Sequence, residues 1–385
     1  MLLSSLKRIT SSGNYIPEID ALRFISIVLV VCCHINELLF AQPDHYFIES
    51  KESYSELNQW MKHGYFGVDI FFAISGFILA LPFASLFRKS IEFPSLKSYF
   101  IRRIKRLEPP YLISLIILFI IIVFILKLKS FQYLFPSFFA SLFYSHNFVY
   151  DRSVLPLVNN VSWSLEIEIQ FYILAPFFIY FLYKYFQSES RKLFLLFLMI
   201  GICSVSKFWK PSFYSLYEYF HYFLVGILTV EFYLDHSSAK FSSHQNWTKS
   251  IILLPVLVAI LVGLKFSDIT YMGLIHPALK VFLSLTQLSL LLVLFYLSLI
   301  VKWWNKFFTL SWVCIIGGMC YSIYLVHNPV ISAVGYKLFD VYHNNFFYIT
   351  YQIYFPLLFV IVLAVSILYY KLVEQPFMNK KQSGS

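Results

Sequence analysis

LISLIILFIIIVFILKL, residues 112–128, contains one serine and one lysine and is otherwise apolar. As a helix rising 1.5 Å per residue it is about 25 Å long, close to the ~30 Å thickness of a bilayer's hydrocarbon core. Lipid offers no water to satisfy the backbone, so such a stretch crosses it as a helix. QLSLLLVLFYLSLIV, residues 287–301, reads the same way. The whole 385-residue chain is 59% hydrophobic and 13% charged, whereas soluble domains carry about 25% charged residues. A soluble fold this apolar could not cover its own surface. The sequence is that of an all-α, multi-pass integral membrane protein.

Moving outward from these two stretches, hydropathy and span length predict about ten transmembrane helices, near residues 20–41, 65–87, 110–128, 161–185, 192–209, 212–234, 249–267, 279–301, 310–335 and 347–371. The fifth is short and interrupted by polar residues. Residues 131–148 are apolar but short and hold Pro136, so they are expected to be re-entrant or interfacial. The organisation expected is an N-terminal segment 1–19, a membrane domain 20–372 and a tail 373–385, with no appended soluble domain and no internal repeat. The first twenty residues have no apolar core of their own, which excludes a cleavable signal peptide there.

With the N-terminus in the cytoplasm, inside loops carry 19 Lys and Arg residues and outside segments carry ten. That bias puts both termini inside. It also disposes of the +10 net charge as a nucleic-acid signal, because the basic residues flank the apolar runs. Were 131–148 to cross, the loop with Lys184, Arg191 and Lys192 would move outside. Cys32, Cys33, Cys203, Cys314 and Cys320 all sit in apolar segments without metal-ligand spacing, and are expected to be small buried hydrophobes.

Ionisable side chains inside spans are costly and usually face protein or a wet cavity. Here they are Arg23, His34, Asp69, Glu166, Glu168, Glu218, His221 and His327. At 1.5 Å per residue, His34 lies about 21 Å above the inner face and Glu168 about 10 Å below the outer one, so the two share a level. Asp69 and His327 fall in the same outer half. Arg23 precedes His34 by about three turns, so both point to nearly one side of the helix. That helix offers a cation near the inner face and an imidazole deep inside, an arrangement suited to a ligand with an anionic head and a long arm. Plainer readings exist for each residue. A lone intramembrane histidine is often structural, Arg23 can snorkel to headgroups, and Glu218 and His221, at i,i+3, can pair.

LKSYFIRRIKRLEPPY, residues 96–111, puts Leu96, Phe100, Ile104 and Leu107 on one helical face and Arg102, Arg103, Lys105 and Arg106 on the rest. This predicts an interfacial helix, broken from the third span by Pro109 and Pro110. The charges serve either as a topogenic, lipid-binding patch or as a phosphate clamp, since Arg forks match phosphate oxygens.

Five motifs, in order, resemble the acyltransferase-3 family of membrane acyltransferases, which includes bacterial O-antigen O-acetylases. EIDALRFISIVLVVCCH resembles its Arg-x10-His signature through Arg23 and His34. GYFGVDIFFAISGFIL, residues 64–79, resembles its Gly-Val-Asp-x-Phe-Phe-x-x-Ser-Gly-Phe stretch, with Asp69 and Ser75. YFIRRIKRLEPPY resembles its Arg-x-x-Arg segment through Arg103 and Arg106. VSWSLEIEIQFY resembles its Trp-Ser-Leu-x-x-Glu-x-x-Phe-Tyr motif through Trp163, Ser164, Glu168 and Tyr172. GMCYSIYLVHNP resembles its Tyr-x-x-Tyr-Leu-x-His-x-Pro pattern through Tyr321, Tyr324 and His327. The resemblance covers most of the chain. Some relatives carry a fused extracytoplasmic hydrolase-like domain that has no counterpart in this sequence.

The resemblance implies an acyl-CoA donor, acetyl-CoA in the first instance, used from the cytoplasm without a metal. It implies a hydroxyl acceptor on a cell-envelope or lipid-linked glycan, lipopolysaccharide among them. The location it implies is the inner, cytoplasmic membrane of a bacterium. Arg23, Arg102, Arg103 and Arg106 would hold the donor phosphates. His34 would act as general base, with Glu168, or second Asp69, fixing its tautomer; an acyl-histidine intermediate is the alternative. Ser75, Trp163, Ser164, Tyr172, Tyr324 and His327 would line the pocket. Other classes stay open: a transporter with an intramembrane proton relay, which internal symmetry would favour, and a lipid-binding structural protein.

Overall fold

The computed structural model describes residues 15–89, 91, 95–238, 277–300, 308–341 and 345–378. Among them every regular element is helical. The helices used below are α1 (Pro17–Phe40), α2 (Phe66–Arg88), α3 (Leu96–Ile120), α4 (Phe131–Leu142), α5 (Trp163–Tyr185), α6 (Ser188–Phe208), α7 (Leu216–Ser238), α8 (Pro277–Ile300), α9 (Ser311–Gly318), α10 (Cys320–Val341) and α11 (Phe347–Tyr369). Six helices are long and apolar enough to cross a membrane, or seven if α9 and α10, bent by 68°, form one broken span. The expected spans at 192–209 and 212–234 fall on α6 and α7, helices of 21 and 23 residues whose polar side chains leave them outside those six. The span expected at 249–267 lies outside the described residues.

Contacts between backbones set the relative directions. Gly64 abuts the Leu29 carbonyl and Gly67 the Ser26 carbonyl, so α1 and α2 are antiparallel. His327 and Gly335 of α10 meet His34 and Leu38 of α1 in turn, which makes those two parallel. Helices α2 and α7 share the most extensive contact. A Cβ on Gly76 would lie 2.1 Å from the Phe223 carbonyl oxygen, and one on Gly226 would lie 2.0 Å from that of Ala73. Lipid tails are as apolar as leucine, so helix association in a bilayer depends on such close backbone approach rather than on a solvent-driven core. At Gly317, in the last turn of α9, the same construction gives 1.7 Å to the Asp20 carbonyl oxygen. Only a residue without a side chain lets α9 rest on the start of α1.

Two expectations about backbone path are settled by these packings. Pro109 and Pro110 do not break a surface helix from a span: α3 runs through both and continues as a π-helical turn over Ile121–Ile125. Neighbouring helices anchor the interrupted stretch, because the Tyr321 and Tyr369 hydroxyls donate to the carbonyls of Leu107 and Pro110. Residues 131–148 form the 12-residue α4, about 18 Å long and too short to cross, followed by the turn His146–Val149. Its C-terminal end sits against Tyr111, whose hydroxyl donates to the Ser141 carbonyl at 2.9 Å.

At the end where α2 finishes, a buried ionic cluster ties four helices together. Glu231 of α7, fully buried, accepts from Arg191 of α6 at 2.7 Å, from Arg88 of α2 at 3.3 Å and from the Tyr183 hydroxyl of α5. Arg88 and Lys192 also hold Asp235 at 2.8 and 2.7 Å. Glu218 and His221 do not pair. Glu218 is bound by Arg152 from the loop before α5, while His221 is buried within the bundle.

Candidate active site

A single cavity joins α1, α2, α3, α5 and α10. It has about 890 Å³ of empty space, counting its open mouth. Each helix contributes one stripe at helical spacing: Arg23 and Val30 from α1; Val68, Phe72, Ser75 and Leu79 from α2; Arg103 and Arg106 from α3; Ser164, Glu168 and Tyr172 from α5; Tyr321 and Tyr324 from α10. The residues at i, i+3, i+4 and i+7 of one helix share a face, so five amphipathic stripes in an apolar sequence can converge on one polar interior.

Three arginines converge on this space. Arg23 is only 6% exposed and ion-pairs with Asp20 one turn earlier. It is therefore a buried wall residue, not one that snorkels to headgroups. Arg103 lies with its guanidinium 5.7 Å from the centre of the Tyr172 ring, and Arg106 lines the wall one turn on. Arg102 is exposed and does not line the cavity. It falls on the far side of α3 because it precedes Arg103 by 100° of rotation.

Glu168 accepts hydrogen bonds from the Ser75 and Tyr172 hydroxyls. The carboxylate thus joins α2 to α5 beside Arg103. It lies level with Ser75 and Arg103 inside the cavity, not on the level of His34 where it was expected, and its bonds go to those hydroxyls rather than to an imidazole. Asp69 is turned away from His34 as well: its hydrogen-bonding neighbour is Tyr222 of α7. Trp163 packs on Tyr214 and Tyr219, with ring centres 4.7 and 5.5 Å away, and does not line the cavity. Ser164 and Tyr324 do, their hydroxyls 3.0 Å apart, and Tyr324 also donates to the Val161 carbonyl at 2.5 Å.

His34 and His327 stand one turn beyond the cavity's last lining residues, with ring centres 5.1 Å apart. His34 Nδ1 lies 2.9 Å from the Val30 carbonyl oxygen. His327 Nδ1 lies 3.0 and 2.8 Å from the carbonyl oxygens of Ile323 and Tyr324. A carbonyl can only accept, so both Nδ1 atoms carry hydrogen. In each ring Nε2 is left as the nitrogen that takes or gives a proton. The tautomer that a carboxylate was expected to fix is fixed by helix backbone. His327 is fully buried, and its Nε2 has no hydrogen-bond partner.

One buried carboxylate beside the site, Glu374, escaped the sequence reading, and Glu166 was named there without a partner. Glu374, in the stretch expected to be tail, is buried and accepts from the Ser322 N–H at 3.1 Å and from its hydroxyl at 2.5 Å. It caps the first turn of α10, beside the cavity residues Cys320 and Tyr321. A carboxylate just past the last apolar run otherwise reads as solvated. Glu166 is fully buried and binds the backbone N–H groups of His146 and Asn147 at 3.3 and 2.8 Å. It anchors the loop after α4 and does not face the cavity. Among the described residues no group of three or more His, Cys, Asp or Glu side chains could hold a metal ion.

Comparison with known proteins bears on this arrangement. The acyltransferase-3 family model, described as an acyltransferase domain, matches residues 16–371. The peptidoglycan O-acetyltransferase OatA of Listeria monocytogenes is 30% identical over 217 residues, covering 54% of this chain and 31% of that protein. The O-acetyltransferase OatA of Staphylococcus aureus is 28% identical over 191 residues, covering 46% of this chain and 27% of that protein. The chain thus spans less than a third of the length of these curated relatives. No solved structure matches it significantly.

Proposed function

This chain belongs to the acyltransferase-3 family of membrane acyltransferases, and from that premise we propose that it moves an acetyl group from acetyl-CoA to a hydroxyl of a cell-envelope or lipid-linked glycan. The observation that carries this reading is the cavity with Arg23, Arg103 and Arg106 in its wall and the His34–His327 pair one turn beyond its opposite end. The arginine end faces the cytoplasm, as the distribution of basic residues favours. There the guanidinium groups bind the phosphates of the donor, and the pantetheine arm extends along α1 toward Val30.

At the thioester, Nε2 of His34 takes the proton of the acceptor hydroxyl. The hydroxyl oxygen attacks the carbonyl carbon, the carbon–sulfur bond breaks, and the CoA thiolate leaves. The imidazolium then returns its proton to that sulfur, giving ester and CoA thiol. Backbone carbonyls hold both imidazoles in the tautomer that this exchange needs. Glu168 orders Ser75 and Tyr172 and balances Arg103 in the donor's path; it acts on donor position and not on the base.

The direct test is mass spectrometry of envelope glycans from cells with and without the protein. An alkali-labile acetyl ester should appear with the wild-type chain and be missing in both its absence and the His34→Ala variant. Identical glycans in all three would overturn the reading.

A further inference from the structure

Each of four elements continues its cavity stripe by one turn, in the direction away from the arginines, and each places a polar side chain there. His34 follows Val30 by four residues on α1. Tyr65 precedes Val68 by three at the start of α2. Asn160 precedes Ser164 by four at the entry to α5, and Asn328 follows Tyr324 by four on α10. Helical periodicity puts each on the same face as its lining neighbour. The four extensions share one end of the bundle. Helix α1 runs from Arg23 to His34, α10 is parallel to it, and α2 is antiparallel. Helix α5 is parallel to α2, since Glu168 meets Ser75 and Tyr183 packs on Phe87.

The side chains are linked in pairs. The Tyr65 hydroxyl donates to Glu37, and the Tyr65 ring sits 6.0 Å from that of His34. Asn328 donates its amide to Asn160. Both pairs are exposed, and beyond that one bond each amide carries further donors and acceptors. Beneath them is His327 Nε2, fully buried and without a partner, a nitrogen open to a hydrogen bond from a bound hydroxyl.

We infer that Glu37, Tyr65, Asn160 and Asn328 form the acceptor subsite, an outward vestibule that binds a neutral, hydroxyl-rich sugar ring and presents one hydroxyl to the imidazole pair. The chemistry selects this ligand class. Two primary amides both donate to and accept from vicinal hydroxyls, a carboxylate accepts from them, and a half-exposed tyrosine ring offers a face to the C–H side of a pyranose. The set contains no lysine or arginine, and Glu37 repels phosphate, so an anionic headgroup is disfavoured. A metal cation would find one carboxylate only. This inference rests on the proposed transfer and adds where and by what the acceptor is held.

The test uses the full chain reconstituted in nanodiscs, with chitotetraose as the sugar probe and acetyl-CoA as the donor probe, and reads the binding of each separately. Saturation-transfer NMR should detect chitotetraose on the wild-type protein without donor. Asn160→Ala and Asn328→Ala should each weaken it by about fivefold, the worth of one hydrogen bond of ~1 kcal/mol, and Glu37→Gln by more. Acetyl-CoA affinity should stay at the wild-type value in all three, which also reports that they fold. No chitotetraose binding, or equal binding by all variants, overturns the vestibule. Sugar binding that follows this pattern while acetyl-CoA fails to bind would instead leave the vestibule standing and overturn the donor assignment.

Discussion

Replacing Glu168 by Gln and His34 by Ala, singly and together, separates two ways of wiring this site. Glu168 accepts from the hydroxyls of Ser75 and Tyr172, while His34 is held by the Val30 carbonyl. The two side chains share no bond. A hydrogen bond to a charged group contributes about 1.5–3 kcal/mol and a neutral one about 0.5–1.5, so Gln weakens each of the two bonds by roughly 1–1.5 kcal/mol. If the whole of that reaches the donor's bound position, Glu168→Gln lowers kcat/KM by about 30- to 150-fold, mostly through KM for acetyl-CoA. His34→Ala removes a positioned base and lowers kcat by about 10²- to 10⁴-fold. Sites with no common partner combine additively within about 0.5 kcal/mol, so the fold-losses should multiply in the double variant. Single-turnover release of CoA thiol, followed with a thiol reagent, measures all four proteins. A double variant no worse than His34→Ala alone would refute the reasoning. Groups acting as one catalytic unit behave that way, and the carboxylate would then serve the imidazole after all.

Three further outcomes follow from the geometry. Arg103→Gln with Arg106→Gln should raise KM for acetyl-CoA tenfold or more, roughly 1.4 kcal/mol, with kcat changed less, whereas Arg102→Gln should leave both alone because that residue is exposed. Gly226→Ala should lower the melting temperature in detergent, because its methyl would sit 2.0 Å from the Ala73 carbonyl oxygen; overpacking of this kind costs about 1–3 kcal/mol, and an unchanged melting curve would contradict the α2–α7 packing. Glu231→Ala should destabilise the protein by about 3–5 kcal/mol, since it strands the buried Arg191, and Arg191→Met together with Glu231→Leu should recover much of the loss in the same thermal assay.

Depth was legible in the sequence along one helix, less so between helices, and azimuth was not. Counting 1.5 Å per residue put His34 and His327 in the same half, where they meet, and the eleven-residue spacing of Arg23 and His34 did place both along one side of α1, but it set Glu168 about two turns too close to His34. Which neighbour each met depended on the rotation of every helix about its axis. That rotation is set by packing details such as the Gly76 and Gly226 contacts, which no single helix encodes. Glu168, expected beside His34, therefore found Ser75 and Tyr172 about two turns nearer the arginines, and Asp69 found Tyr222. Backbone carbonyls were missing from the reading altogether, although an i−4 carbonyl lies within reach of any histidine in a helix, and here it does the work assigned to a carboxylate. The proline pair misled for a related reason. Pro109 and Pro110 would break an isolated helix, and only the tyrosines of α10 and α11, distant in sequence, show why α3 continues. Glu231 and Glu374, at the ends of apolar runs, have the look of interfacial charges until Arg191 and Ser322 arrive from elsewhere in the chain.

The central claim is a division of labour across the membrane: donor enters past the arginines, acceptor arrives from the opposite face, and they meet at the imidazole pair. Sealed vesicles of opposite orientation test it most directly. Acetyl-CoA does not cross a bilayer, so release of CoA thiol should occur only in vesicles whose Arg103 and Arg106 end faces the added donor, and should vanish with His34→Ala in that same orientation. Release from donor supplied on the face bearing Glu37 and Tyr65, or release that His34→Ala leaves intact, would contradict the account.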